Sequence, residues 1–160
     1  MSTFEEFVNI FTENKIDYVR KIGRNYYFVE NDLWELKESI NKDVFSVGIF
    51  LGEEKDRFEP NPAILDIISK FPDSEKRKIF VNKKAEWLFL CGRNILSDSI
   101  SKNPYRVNSG LVLVQNENNE NLGFGYFKQE GPALILRNIL DKGHYLRIED
   151  KKGKRGKKKH

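Results

Sequence analysis

Residues 122–126 read Leu-Gly-Phe-Gly-Tyr. The alternation has the period of a β-strand, with large apolar side chains on one face and glycines on the other. Glycine weakens a strand interior, so it marks a bulge or a place that another group approaches within backbone distance. An apolar run, Leu111 to Val114, lies upstream, and six polar residues, Asn116 to Asn121, four of them Asn, separate the two segments. This predicts a hairpin whose second strand is closely approached, either by another part of the fold or by a ligand. Strands that bend at the corners of a small barrel carry glycine for the same reason.

The rest of the second half supports a barrel. Short strands are predicted at Lys78–Val81, Arg106–Val107, Leu111–Gln115, Leu122–Phe127, Ala133–Arg137 and Tyr145–Ile148. One helix is predicted over Lys83–Leu96, capped by Asn82, with Trp87, Leu88, Cys91 and Ile95 on its core face and Gly92 inside it. The first half reads differently. Thr3 and Glu6 form a capping box for a helix that buries Phe4, Phe7, Val8 and Phe11. Strands at Tyr18–Ile22 and Tyr26–Val29 flank a hairpin turn, and Asn31 caps a helix carrying Leu33, Trp34 and Leu36. A buried strand runs from Val44 to Leu51 and ends at Gly52. Asn61-Pro62 then opens a helix with Ile64, Leu65, Ile67 and Ile68. Phe71 to Lys76 turns polar, and the domain boundary is placed there. The fold class is thus α+β: an N-terminal α/β domain over residues 1–75, a small mixed β-barrel over 76–150, and a basic tail over 151–160.

Composition narrows the class. Apolar residues make up 39% and charged residues 32%, which suits a packed globular chain rather than a disordered one. No apolar stretch approaches the roughly 20 residues that span a bilayer, and the acidic, amphipathic start MSTFEEFVNIFTENK fits neither a signal nor a transit peptide. A single cysteine, Cys91, excludes an internal disulfide framework and suits a reducing compartment. A cytoplasmic location is expected, or a nuclear or nucleolar one in a eukaryotic source. Residues 151–160 hold seven of the 28 Lys and Arg, and without them the chain is net negative against its 24 Asp and Glu. The basic character therefore lives in the tail, a block expected to be disordered and to seek polyanions unless it only solubilises the chain.

Several segments resemble a PUA domain, the RNA-binding barrel of pseudouridine synthases and archaeosine transglycosylases. They are Gly110–Val114, the Asn-rich turn, Leu122-Gly123-Phe124-Gly125 and Asp141-Lys142-Gly143-His144-Tyr145-Leu146-Arg147. Over most of residues 1–150 the chain resembles the Nip-seven family of ribosome-biogenesis proteins. That resemblance is carried by Tyr27-Phe28-Val29, Ser46-Val47-Gly48 and the run from Ala85 through Trp87 and Cys91 to Asn94. It implies an N-terminal α/β domain followed by a PUA domain. It also implies a non-catalytic role in large-subunit rRNA processing and assembly, exerted by binding rRNA or pre-rRNA and other assembly or RNA-processing proteins. The compact chain suits an archaeal member. Asn121 stands where members often carry proline, and the lysine-rich tail is not a family hallmark.

The residues themselves offer phosphate contacts. Lys83 and Lys84 occupy the first turn of the predicted helix, where free N–H groups also favour anions. The plainer reading is two solvated lysines held there by tertiary packing, against a small dipole penalty. Arg93, near the helix end, is a phosphate contact or a dipole partner. Arg147 closes the D-x-G-x-Y-L-R motif, and Lys151, Lys152, Lys154 and Arg155 extend that end. Phosphate contacts position RNA without reading it; preference needs unstacked bases on aromatics, for which Tyr105, Tyr126 and Tyr145 are candidates unless they are core. Cys91 reads as inert core and His144 as a turn residue. One Cys and two His assemble no usual zinc site, no phosphate-binding glycine motif is present, and adjacent carboxylates point apart. No cofactor, metal or small-molecule substrate is expected. The N-terminal aromatics Phe4, Phe7, Phe11, Tyr26, Tyr27, Phe28 and Trp34 are either core or a protein-docking face. Two other functions remain open: an accessory PUA module that guides an RNA-modifying enzyme, and an enzyme with a pocket around Cys91 or His144.

Overall fold

A computed structural model of the chain describes residues 3–144 together with Arg147 and Ile148. The chain divides into two compact units, Met1–Glu75 and Lys76–His160.

In the first unit, α1 (Phe4–Asn9) starts from the expected capping box: Thr3 Oγ1 accepts from the Glu6 N–H, and the Glu6 carboxylate accepts from the Thr3 N–H. The strands β1 (Val19–Ile22), β2 (Asn25–Phe28), β3 (Ile49–Glu54) and β4 (Phe58–Pro60) form an antiparallel sheet in that order. Phe4 stacks on Tyr26 at 4.5 Å between centroids, and Phe58 meets both rings edge-on. Five of the seven N-terminal aromatics are therefore core, and Phe28 and Trp34 are half-buried. The helix α3 (Ala63–Ile68) buries Ile64, Leu65 and Ile68, and Asn61 Oδ1 accepts from the Ala63 N–H as a cap.

Two expectations fail in this unit. Asn31 does not cap α2 (Asn31–Ser39); it is the first helical residue, and its Oδ1 accepts from Arg20 Nη2 at 3.3 Å. That helix buries none of its residues, and Leu33 and Leu36 are exposed. The strand expected over Val44–Leu51 starts only at Ile49 and continues through Gly52 to Glu54, and Phe45 is 85% exposed. Val47 still packs on Tyr27 and Val29, and the Tyr27 hydroxyl donates to the Phe45 carbonyl, but Gly48 at φ +69° interrupts the extended backbone ahead of Ile49.

In the second unit, β5 (Lys78–Val81), β6 (Ile95–Leu96), β7 (Ile100–Lys102), β8 (Gly110–Asn116), β9 (Asn121–Glu130) and β10 (Ala133–Asp141) make a nearly closed, barrel-like sheet in the order β6-β10-β9-β8-β5-β7. Only β5 and β8 run parallel. The helix α4 (Lys83–Leu90) connects β5 to β6 and drives Ala85 and Phe89 into a core of Ile79, Val81, Ile95, Val112, Val114, Leu122, Phe127 and Leu136.

The glycine alternation now has its cause. A Cβ at Gly123 would overlap the Leu140 carbonyl oxygen and stand 2.8 Å from both Asp141 Cα and the Phe89 ring. At Gly125 it would stand 2.6 Å from Leu136 Cδ1. The group that approaches this strand belongs to the fold: the ring of α4 and the backbone of β10. The Asn-rich turn closes on itself. Asn116 Oδ1 accepts the N–H groups of Asn118 and Glu120, while its Nδ2 donates to Glu86 of α4 at 3.1 Å and to Glu120.

The helix is shorter than expected. Gly92 adopts φ +80°, with its N–H on the Phe89 carbonyl and the Arg93 N–H on the Leu88 carbonyl. It ends the helix as a left-handed cap and is not an interior weak point. Ile95 then belongs to β6, and Trp87 and Cys91 lie exposed, outside the core. The strand expected at Arg106–Val107 is a loop, with Arg106 at φ +51°, and the pairing falls to Ile100–Lys102. The strand expected at Tyr145–Ile148 is also corrected: His144, Arg147 and Ile148 are helical, and Tyr145 and Leu146 lie outside the described residues.

A clamp holds the helix end to the last strand. Arg147 donates through Nη1 and Nη2 to the two carboxylate oxygens of Asp141, each at 2.8 Å, and through Nη1 to the Leu90 carbonyl. Asp141 is 1% exposed. Gly92 and Gly143 face this guanidinium, and a Cβ at either would stand 3.0 Å from one of its nitrogens.

Gly123→Ala is expected to destabilise the protein by about 2–3 kcal/mol, because the added methyl meets backbone. Gly125→Ala meets the side chains of Leu136 and Val114, with no backbone atom among the nearest three, and is expected to cost about 1 kcal/mol. Chemical denaturation of the two variants checks this order; equal losses would mean that the β9–β10 backbone yields freely. Arg147→Ala leaves a buried carboxylate without its cation and is expected to cost about 2–3 kcal/mol, below the fully enclosed case because the arginine is 33% exposed. Arg147→Lys is expected to recover only part of the loss in thermal unfolding, since an ammonium cannot fork both oxygens.

Candidate nucleic-acid interface

The cations of the second unit divide by whether the fold already uses them. Arg147 is engaged in the Asp141 clamp; its hydrogen bonds to that carboxylate hold its pKa above the usual arginine value. Arg137 pairs with Glu130, and Arg77 donates to the Ser109 carbonyl at 2.9 Å. The charge that closes the D-x-G-x-Y-L-R motif thus ties β10 to α4, and its polar nitrogens are turned inward.

Lys83, Lys84 and Arg93 differ. All three are exposed, and none forms a salt bridge among the described residues. Their placement follows from α4. Asn82 Oδ1 accepts the Ala85 N–H at 2.9 Å, which fixes the first turn. Glu86, the acid of that turn, is hydrogen-bonded to Asn116. Arg93 follows the left-handed Gly92 at the other end of the helix. Lys151, Lys152, Lys154 and Arg155 lie outside the described residues.

The helix geometry also exposes a residue that the sequence reading placed in the core. Ala85 and Phe89, four residues apart, define the buried stripe. Trp87 lies two residues from each, about 200° around the helix at roughly 100° per residue. Lys83, at i−4, and Lys84, at i−3, flank it on the solvent side. Trp87 is 66% exposed. The signal that could have found it is Gly92: a helix that stops there takes its core stripe from Ala85 and Phe89.

Of the tyrosines considered for base contacts, Tyr105 is 58% exposed in a loop braced by Asn103, whose side chain both donates to the Val107 carbonyl and accepts from the Val107 N–H. Tyr126 is partly exposed on β9, beside Arg137 of β10. Tyr145 lies outside the described residues. His144 is exposed and helical, and Cys91 is exposed at the end of α4. Among the described residues no group of three or more His, Cys, Asp and Glu side chains gathers to hold a metal ion. No helix among them is long and apolar enough to cross a membrane.

Residues 77–150 match the family described as UPF0113 PUA domain. A UPF0113 protein of Aeropyrum pernix is 28% identical over 117 residues, covering 71% of this chain and 65% of the relative. A UPF0113 protein of Archaeoglobus fulgidus is 28% identical over 82 residues, covering 46% of this chain and 47% of the relative. The chain thus spans about two thirds and about half the length of these relatives. A conserved PUA domain protein of Thermoplasma acidophilum has a similar fold, with a TM-score of 0.52 and 12% identity over 86% of this chain and 87% of that one. The chain is an α+β protein whose second unit matches a PUA-domain family and whose fold is similar to that of a PUA-domain protein.

Proposed function

We propose that the protein is a non-catalytic RNA-binding factor that acts in large-subunit rRNA processing and assembly. The observation that carries RNA binding is the trio of exposed cations on and after α4, Lys83, Lys84 and Arg93, none of which is paired among the described residues of a PUA fold. Cations without internal partners are free to displace counterions from a polyphosphate. Arg147 acts at the far end of α4 as a positioning residue, since its clamp holds the helix that presents the lysines. The tail cations Lys151, Lys152, Lys154 and Arg155 extend the contact by charge alone. The ribosomal assignment rests on the resemblance of residues 1–150 to the Nip-seven family. On this reading the protein works where ribosomal precursors assemble, in the cytoplasm or, in a eukaryotic cell, the nucleus. The N-terminal unit would contact other assembly proteins; what supports this is the apolar surface of α2 and the loop after it, where Leu33, Leu36, Ile40 and Phe45 are exposed.

Filter binding of large-subunit rRNA fragments across a salt series tests the interface. Log K is expected to fall linearly with log salt, and Lys83→Ala with Lys84→Ala to flatten the single-strand slope by about 1.4, near 0.7 per phosphate contact. An unchanged slope would move the interface elsewhere. Co-sedimentation with large-subunit precursors tests the assignment; a stable complex with an RNA-modifying enzyme and none with precursors would favour the accessory-module function.

A further inference from the structure

The chain has two tryptophans, and the fold uses one of them. The ring of Trp34 has the Arg20 guanidinium 5.2 Å from its centroid and the Lys37 ammonium 4.6 Å away. Trp87 has no such partner: among the described residues no ring or cation stacks on it and no hydrogen bond to its indole N–H is made. An indole carries a large apolar area and one polar handle, which makes its exposure costly unless something covers it. Its helical neighbours on that side are Lys83 and Lys84, with exposed Cys91 one turn on.

We propose that Trp87 is a stacking platform for an unpaired RNA base, so that this face of α4 selects single-stranded RNA over duplex. The inference rests on the RNA-binding reading above and deepens it. An exposed flat ring about one helical turn from two unpaired lysines matches a nucleotide, which offers a π-face joined to a phosphate. It matches an apolar protein groove less well, because docking there would bury both lysines without counter-charges. A duplex cannot satisfy the ring. Its base faces are already stacked on one another, and A-form geometry presents phosphates and 2′-hydroxyls to a helix surface. Stacking on an exposed aromatic is also tolerant of base identity, since every base has a π-face. The platform thus supplies strandedness, and the lysines supply phosphate affinity.

The test uses the full chain with Trp34→Phe, which leaves Trp87 as the only indole. It is titrated with a mixed-sequence single-stranded RNA and with a perfect duplex of the same length, followed by tryptophan emission and fluorescence anisotropy. The single strand is expected to quench Trp87, and the duplex to bind without quenching. Trp87→Ala is expected to weaken single-strand binding by about 5- to 150-fold and to leave duplex binding within about 2-fold, with Trp87→Phe intermediate. Lys83→Ala with Lys84→Ala is expected to weaken both. Tight single-strand binding with no quenching, insensitive to Trp87→Ala, overturns the platform and leaves RNA binding intact. Equal losses on single strand and duplex overturn the selectivity. Failure of the unaltered chain to bind either RNA in dilute buffer overturns the RNA-binding reading itself, and the platform with it.

Discussion

The contact between Phe89 and Gly123 sets the rest of the second unit. A fully buried phenylalanine from the only α-helix between β5 and β10 reaches the β9 backbone at a position where no side chain fits. Truncation of such a ring costs about 3–5 kcal/mol, so the contact fixes the rotation of α4 about its own axis. With Phe89 and Ala85 inward, Lys83, Lys84 and Trp87 have no choice but to face solvent. The exposure of these residues is thereby a consequence of core packing.

Polar ties then hold both ends of that helix. Asn82 caps its start and Glu86 is bonded to Asn116, so the Asn-rich turn between β8 and β9 braces the turn of α4 that carries the lysines. At the other end, Gly92 stops the helix and Arg147 joins the Leu90 carbonyl to Asp141 of β10. Fixing a lysine-bearing surface in this way lowers the ordering cost of binding, which is how a small patch of charge becomes an interface. It also separates two kinds of arginine. Arg147 and Arg77 serve the fold through bonds to a carboxylate or backbone carbonyls, whereas Arg93 has no such bond from its side chain among the described residues.

The first unit divides its apolar residues in an unusual way. Phe4, Tyr26 and Phe58 form one group of stacked and edge-on rings, Tyr27 meets Phe50 in a second, and α2 buries no residue fully but packs Trp34 against Tyr27, Val29 and Val47. Trp34 is held by flanking cations, and Leu33 and Leu36 remain exposed.

Local chemistry determined what could be read from the chain alone. The Thr3–Glu6 box, the Asn82 cap, the hairpin around the Asn-rich turn, the glycine alternation and the α+β class each depend on residues close in sequence, so their patterns are complete in one dimension. The free lysines Lys83 and Lys84 were legible for the same reason. What only the tertiary structure decided depends on partners far along the chain. Trp87 and Cys91 left the core because Gly92 ended the helix and Phe89 found Gly123, 34 residues away by number. Arg147 turned its guanidinium inward and became half-buried because Asp141 and Leu90 converge on it. Val44 to Gly48 stayed a loop, with Gly48 at φ +69° ahead of Ile49 and Val47 packed on Tyr27 and Val29. Burial and charge pairing are properties of assembled surfaces, and a residue's neighbours in space are written in no single stretch of sequence.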